Sequence, residues 1–177
     1  PRSTLFPYTT LFRSGVSGTT LYLYERVDET GRVRFFDGGR TFSVNGGLNS
    51  TTETSVSFLM TDLTSSVTMN AGAGNNTIRV QTNIPGNVLT LPSLTINGGA
   101  GDDNVQFAVS VNFLPGASLD VDLQNDAGGA GFDTVSISSN VLMPLLGTGS
   151  ATIKCSGPIS FGTSAQLTTV DGNLTLE

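Results

Sequence analysis

Apolar and polar residues alternate along this chain with a period of two, and no segment sustains apolar spacing at i, i+3, i+4 and i+7. A period of two puts every second side chain on one face of an extended strand, so the pattern predicts β-strands and an all-β fold. The alternation is clearest at Leu21-Tyr22-Leu23-Tyr24, Thr41-Phe42-Ser43-Val44, Val67-Thr68-Met69, Leu94-Thr95-Ile96 and Leu119-Asp120-Val121. Four of these runs end alike, at Val44-Asn45-Gly46-Gly47, Met69-Asn70-Ala71-Gly72, Ile96-Asn97-Gly98-Gly99 and, more loosely, Val121-Asp122. Their last apolar residues return about every 25 positions, and so steady a period marks stacked structural units.

Three of the corners lead into a second strand, Asn76-Thr77-Ile78-Arg79-Val80, Asn104-Val105-Gln106-Phe107 and Thr134-Val135-Ser136-Ile137. Before the third of these, Leu123 to Ala127 reads as an insertion, which a stack accommodates as a loop. The predicted fold is a right-handed parallel β-helix, a β-solenoid with coils of about 25 residues whose equivalent strands pair at roughly 4.8 Å. Val44, Met69, Ile96 and Val121 are then expected to form one interior ladder, Ile78, Val105 and Val135 another, and Asn45, Asn70 and Asn97 a ladder at the corner. An immunoglobulin-like β-sandwich also has short strands and frequent turns, but it gives no reason for the same Asn-Gly corner to keep returning. Ahead of the coils, Thr20 to Phe36 reads as a hairpin turning at Asp28 to Gly31, its mixed charges suiting a solvated edge. Residues 15–40 are thus a hairpin or first coil, and 41–177 the solenoid, whose C-terminal stretch keeps the style with a different spacing.

Pro1 to Ser14, PRSTLFPYTTLFRS, matches at all fourteen positions the in-frame translation of a common short-read sequencing adapter. Arg13 at its end and Pro7 in its middle do not suit a signal peptide. The segment is set aside from the fold prediction as an artefact. With Leu174-Thr175-Leu176-Glu177 ending inside an alternating pattern, the rest reads as a fragment of a larger open reading frame from bulk sequencing, truncated at both ends.

Composition narrows the chemistry. Charged residues make up 12% of the 177 and there is no His, which removes imidazole bases, His-based triads and His-containing zinc or copper sites. One cysteine, Cys155, permits neither an internal disulfide nor a four-cysteine metal cluster and reads as a buried small residue. The net charge of −6, more negative still without Arg2 and Arg13, argues against nucleic acid and anionic membrane and favours cations as partners.

Gly98-Gly99-Ala100-Gly101-Asp102-Asp103-Asn104-Val105-Gln106 and Gly128-Gly129-Ala130-Gly131-Phe132-Asp133-Thr134-Val135-Ser136 both fit the nonapeptide G-G-x-G-x-D-x-U-x, and Ala71 to Arg79 is a degenerate copy with Asn76 in place of Asp. These turns resemble the calcium-binding nonapeptide of RTX-type proteins. The resemblance implies calcium held by Asp102, Asp103 and Asp133 with the turn backbone at Gly99, Gly101, Gly129 and Gly131, since glycines let carbonyl oxygens point inward and Ca²⁺ takes six to eight oxygen ligands. Here the motifs stand one per coil rather than in tandem. The alternative is a purely structural corner, in which the aspartates cap turn amides.

Asp120, Asp122 and Asp126 are the remaining carboxylate group, and paired carboxylates hydrolyse glycosides. Asn49-Ser50-Thr51, Asn75-Asn76-Thr77 and Asn173-Leu174-Thr175 are glycosylation sequons of a kind that arises by chance in a chain this rich in Asn, Ser and Thr. Together with Leu91-Pro92-Ser93 and Leu114-Pro115-Gly116, the repeated corners look like the β-strand-repeat regions of large bacterial surface and secreted proteins, RTX-type and filamentous-haemagglutinin-like adhesins among them. That likeness implies an extracellular or cell-surface, non-catalytic structural or adhesive solenoid. Its partners would be the neighbouring coils, Ca²⁺, and a surface glycan or protein receptor. The alternative function is a fragment of a carbohydrate-active β-helix enzyme.

Overall fold

The computed structural model describes residues 9–13, 20–25, 32–37, 43–44, 48–49, 55–59, 63, 65–82, 84–124 and 131–177, and every regular element among them is a strand. Six strands precede the coils: β1 (Thr9–Arg13), β2 (Thr20–Glu25), β3 (Arg32–Asp37), β4 (Ser43–Val44), β5 (Leu48–Asn49) and β6 (Ser55–Leu59). A first coil then runs through β7 (Ser66–Asn70), β8 (Thr77–Thr82) and β9 (Leu89–Leu91), and a second through β10 (Ser93–Asn97), β11 (Asn104–Phe107) and β12 (Val111–Phe113). The third coil contains β13 (Leu119–Asp122), β14 (Thr134–Ile137) and β15 (Leu142–Leu145), and the fourth β16 (Ala151–Lys154), β17 (Ile159–Phe161) and β18 (Gln166–Thr169). Finally β19 (Leu174–Leu176) returns to the first face.

Each coil thus lays one strand on each of three faces, and equivalent strands pair in parallel. The first face has the order β1-β7-β10-β13-β16-β19. On the second, β8, β11, β14 and β17 pair in parallel, and the sheet continues through β2 into antiparallel β3 and β6. The third face pairs β9 with β12 and β15 with β18, joined where the Leu142 N–H donates to Ser110 Oγ at 2.9 Å. This in-step parallel stacking is a β-solenoid, whereas a sandwich would pair its strands antiparallel.

Register follows from burial. Met69 lies opposite Ile96, Ile96 opposite Val121 and Val121 opposite Ile153, all buried, while Ile78, Val105 and Val135 form the second predicted row. A shift by one residue would turn each row outward and lose about 1.5–3 kcal/mol per buried aliphatic side chain. The third face adds Leu89, Leu91, Val111, Phe113, Met143 and Leu145 to the same core.

Two expectations are corrected. Val44 does not join the first ladder: β4 pairs antiparallel with β5, placing Val44 opposite Leu48. Only three residues separate those strands, too few for the crossover of a dozen or more that a parallel pair needs. The strand beside β7 is instead β1, with Phe12 opposite Met69, inside the segment set aside as an artefact. Thr10, Leu11 and Phe12 favour extended structure, and a bare sheet edge accepts such a segment. The second correction concerns Leu123, expected to begin a looped insertion. It is fully buried and its N–H donates to Lys154 O at 2.9 Å. Asn45, Asp126 and the predicted hairpin turn Asp28 to Gly31 lie outside the described residues, whereas β2 and β3 pair as the hairpin predicts, Tyr22 opposite Phe36.

Candidate functional site

The Gly-rich turns occupy one corner, between the first and second faces, and stack coil on coil. Alternation ends here because the glycines allow the backbones to close up. Gly99 (φ 138°) lies so near Gly72 that a Cβ on Gly99 would sit 1.9 Å from the Gly72 carbonyl oxygen, and Gly101 (φ 123°) approaches Gly74 in the same way. Amides across this contact are bonded, Gly72 N–H to Gly98 O at 3.0 Å and Gly74 N–H to Ala100 O at 2.5 Å. Gly131 is placed at the equivalent corner of the third coil, where its carbonyl accepts the Ser156 hydroxyl at 2.8 Å, while Gly129 lies outside the described residues.

Within this corner the side chains of Asn76, Asp103 and Asp133 are 2%, 1% and 0% exposed, so protein rather than bulk water surrounds their polar atoms. They are strung on one inter-coil ladder. The Asn76 N–H donates to Asp103 Oδ1 at 2.9 Å, the Asp103 N–H to Asp133 Oδ1 at 2.8 Å, and the Asp133 N–H to Ser156 Oγ at 2.9 Å. Asp133 Oδ2 and Ser156 Oγ are 3.0 Å apart, and Asn76 turns its amide nitrogen to Gly74 O at 2.5 Å.

A second ladder runs beside it at the surface in the opposite sense. There the Asp102 N–H donates to Asn75 Oδ1 at 3.0 Å, and the Phe132 N–H to Asp102 Oδ1 at 2.8 Å. The two ladders therefore tie the dipeptide Asp102-Asp103 twice to the coil before and twice to the coil after, and the Thr134 N–H adds a bond to Asp103 O at 2.9 Å. Amide donors on a carboxylate make charge-assisted bonds, worth about 1.5–3 kcal/mol each. Chemically, the structure brings Asp102, Asp103 and Asp133 together at one corner and engages all three as backbone acceptors. Among the described residues no group of three or more Cys, Asp or Glu converges in a way that could hold a metal ion.

The other candidates fall elsewhere. Asp120 and Asp122 project from the outer side of β13, in register with Thr152 and Lys154, and Asp122 Oδ1 accepts the Gln124 N–H at 3.1 Å. Asn70 and Asn97 form the predicted corner pair, Asn97 Nδ2 donating to Asn70 Oδ1 at 2.6 Å. Cys155 is buried with its thiol 3.2 Å from Gly157 O, and burial, reinforced by the charge of Asp133, pushes that thiol above its ordinary range. A thiol so placed is largely protonated at neutral pH and acts as a packing residue.

One functional row escapes the sequence reading. Ser93 Oγ accepts the Ser118 N–H at 3.0 Å, Ser118 Oγ the Ser150 N–H at 3.4 Å, and Ser150 Oγ the Asn173 N–H at 3.1 Å. Its signal is present in the chain as a small polar residue just before the first apolar residue of β7, β10, β13, β16 and β19: Ser66, Ser93, Ser118, Ser150 and Asn173. Ser156 likewise completes the aspartate ladder from a coil without a Gly-Gly-x-Gly turn. Compared with known proteins, the chain matches no family model, no curated protein and no solved structure.

Proposed function

We propose that this chain is a non-catalytic structural segment of a β-solenoid, a stiff stalk or adhesive spacer of a larger secreted or cell-surface protein. The observation that carries this reading is the engagement of Asp102, Asp103 and Asp133 in bonds to the backbones of neighbouring coils. Residues with the richest chemistry in the sequence are used to hold one coil on the next. Serine does the same work at the start of the first-face strands. Solenoids gain their length this way, since each unit is stabilised by its neighbours. Extracellular placement comes with the reading through the likeness of these repeats to bacterial surface proteins.

Thermal melting followed by circular dichroism tests it. The expected result is the same midpoint in chelator and in millimolar calcium. A calcium-dependent rise in midpoint, lost in the Asp103→Ala, Asp133→Ala double variant, would replace the amide-acceptor role with that of a calcium-responsive module.

A further inference from the structure

The corner between the second and third faces carries a groove of about 370 Å³, at the lower end of the usual size for ligand sites. Turn lengths explain its shape. Residues 83–88 join β8 to β9 and residues 138–141 join β14 to β15, but only residues 108–110 join β11 to β12. The short middle turn makes the floor, and the longer turns on either side stand as walls. Those walls are held by the backbone: the Asn87 N–H donates to Ile84 O at 3.2 Å, the Asn140 N–H to Thr163 O at 2.9 Å, and the Val141 N–H to Ser138 O at 3.2 Å. A site fixed before binding loses little entropy when it is filled.

Its chemistry is neutral. The lining includes Asn87, Ser110 and Asn140 with Pro85, Ala108 and Val141, and no charged or aromatic residue lines it among the described residues. An ionic ligand would find no counter-charge there. An extended peptide binds by adding a strand to a sheet edge, but these walls are turns whose N–H groups named above are already bonded. Side-chain amides and hydroxyls both donate and accept, as do the neighbouring hydroxyls of a sugar, and the aliphatic patches suit the C–H faces between them. We propose that this groove binds a short stretch of neutral saccharide. The proposal rests on the non-catalytic reading in one respect: the bound sugar is held and released uncut.

The test is titration of the isotopically labelled full chain with cellotetraose, xylotetraose and mannotetraose to millimolar concentration, followed by amide NMR. At least one sugar is expected to give saturable shifts confined to residues 84–87, 108–110 and 138–141. In Asn87→Ala and in Asn140→Gly, affinity is expected to fall about tenfold or more, as for a lost polar anchor. Glycine suits residue 140 because Asn140 has φ 62°, so an unchanged melting midpoint separates lost binding from lost fold. Absence of shifts with all three sugars would overturn the proposal, as would undiminished binding by both variants or saturable binding there of an uncharged extended peptide instead. Release of new reducing ends would leave the binding site standing and overturn the non-catalytic reading.

Discussion

Replacing Asp133 by Ala is expected to destabilise the chain by about 3 kcal/mol, because it strands a buried donor as well as removing a bond. Asp133 is fully buried, and the Asp103 N–H that it accepts has no route to water when the carboxylate is gone. For a chain of this size the loss amounts to roughly 6–12 °C in melting midpoint. Asp133→Asn is expected to behave differently. Its amide oxygen keeps the bond from Asp103, while its NH₂ group donates to Ser156 Oγ, which is free to give its own proton to Gly131 O. The expected cost is below about 1 kcal/mol, the net worth of one ordinary hydrogen bond. Urea unfolding of the two variants checks both figures. Equal, large losses would mean that the negative charge itself is required, as a cation site demands.

Gly99→Ala is expected to be the more damaging change, at about 4 kcal/mol, combining backbone strain with a steric clash. The new Cβ would fall 1.9 Å from Gly72 O and 2.6 Å from its carbonyl carbon, so relief requires one coil to move away from the next. Separation there breaks the Gly72 to Gly98 bond and draws Asp103 away from Asn76. Gly86→Ala is the matched control. Gly86 also has positive φ, at 74°, but nothing lies within 4 Å of its added Cβ, so only the left-handed penalty of about 1–2 kcal/mol applies. Similar losses in the two variants, measured by the same urea unfolding, would contradict close coil stacking at the Gly99 corner.

What could be read from the sequence divides along physical lines. Alternation is local, and it identified the rows through Met69, Ile96 and Val121 and through Ile78, Val105 and Val135, because inward positions of a parallel stack must be apolar in every coil. The third face was less legible. Its strands span only three or four residues, too short for alternation to stand out, and Leu91, which ends β9, is followed at once by Pro92, which masks the strand in the sequence. Val44 shows a different limit. Asn-Gly is both a corner of a coil and the commonest turn of a hairpin, so the motif alone does not say whether the next strand stacks or folds back. Leu123 depends on a neighbour 25 residues away. Gly98 has no side chain, Leu123 Cδ2 lies 3.0 Å from where its Cβ would be, and the residue that resembled the start of an insertion fills that space.

The candidate site was half legible for the same reason. The motif located Asp102, Asp103 and Asp133, and its structural reading named them as caps for turn amides. Which amides they cap depends on register between coils, and register is not a local property. The sequence distances bridged by these bonds are 23 to 32 residues, so neither the serine row nor Ser156 could be assigned a partner before the coils were stacked.

The buried carboxylates of Asp103 and Asp133 hold the first coil to the second and the second to the third through backbone amides, and the proposed structural role requires those bonds to form in the absence of calcium. Hydrogen exchange at the amides of Asn76, Asp103 and Asp133, measured in the presence of chelator, tests it most directly. The expected result is protection comparable to that of the strand amides in β7 and β10, falling selectively at Asp103 in Asp133→Ala. Exchange as fast as in an unstructured chain, or protection that arises only when calcium is added, would contradict it.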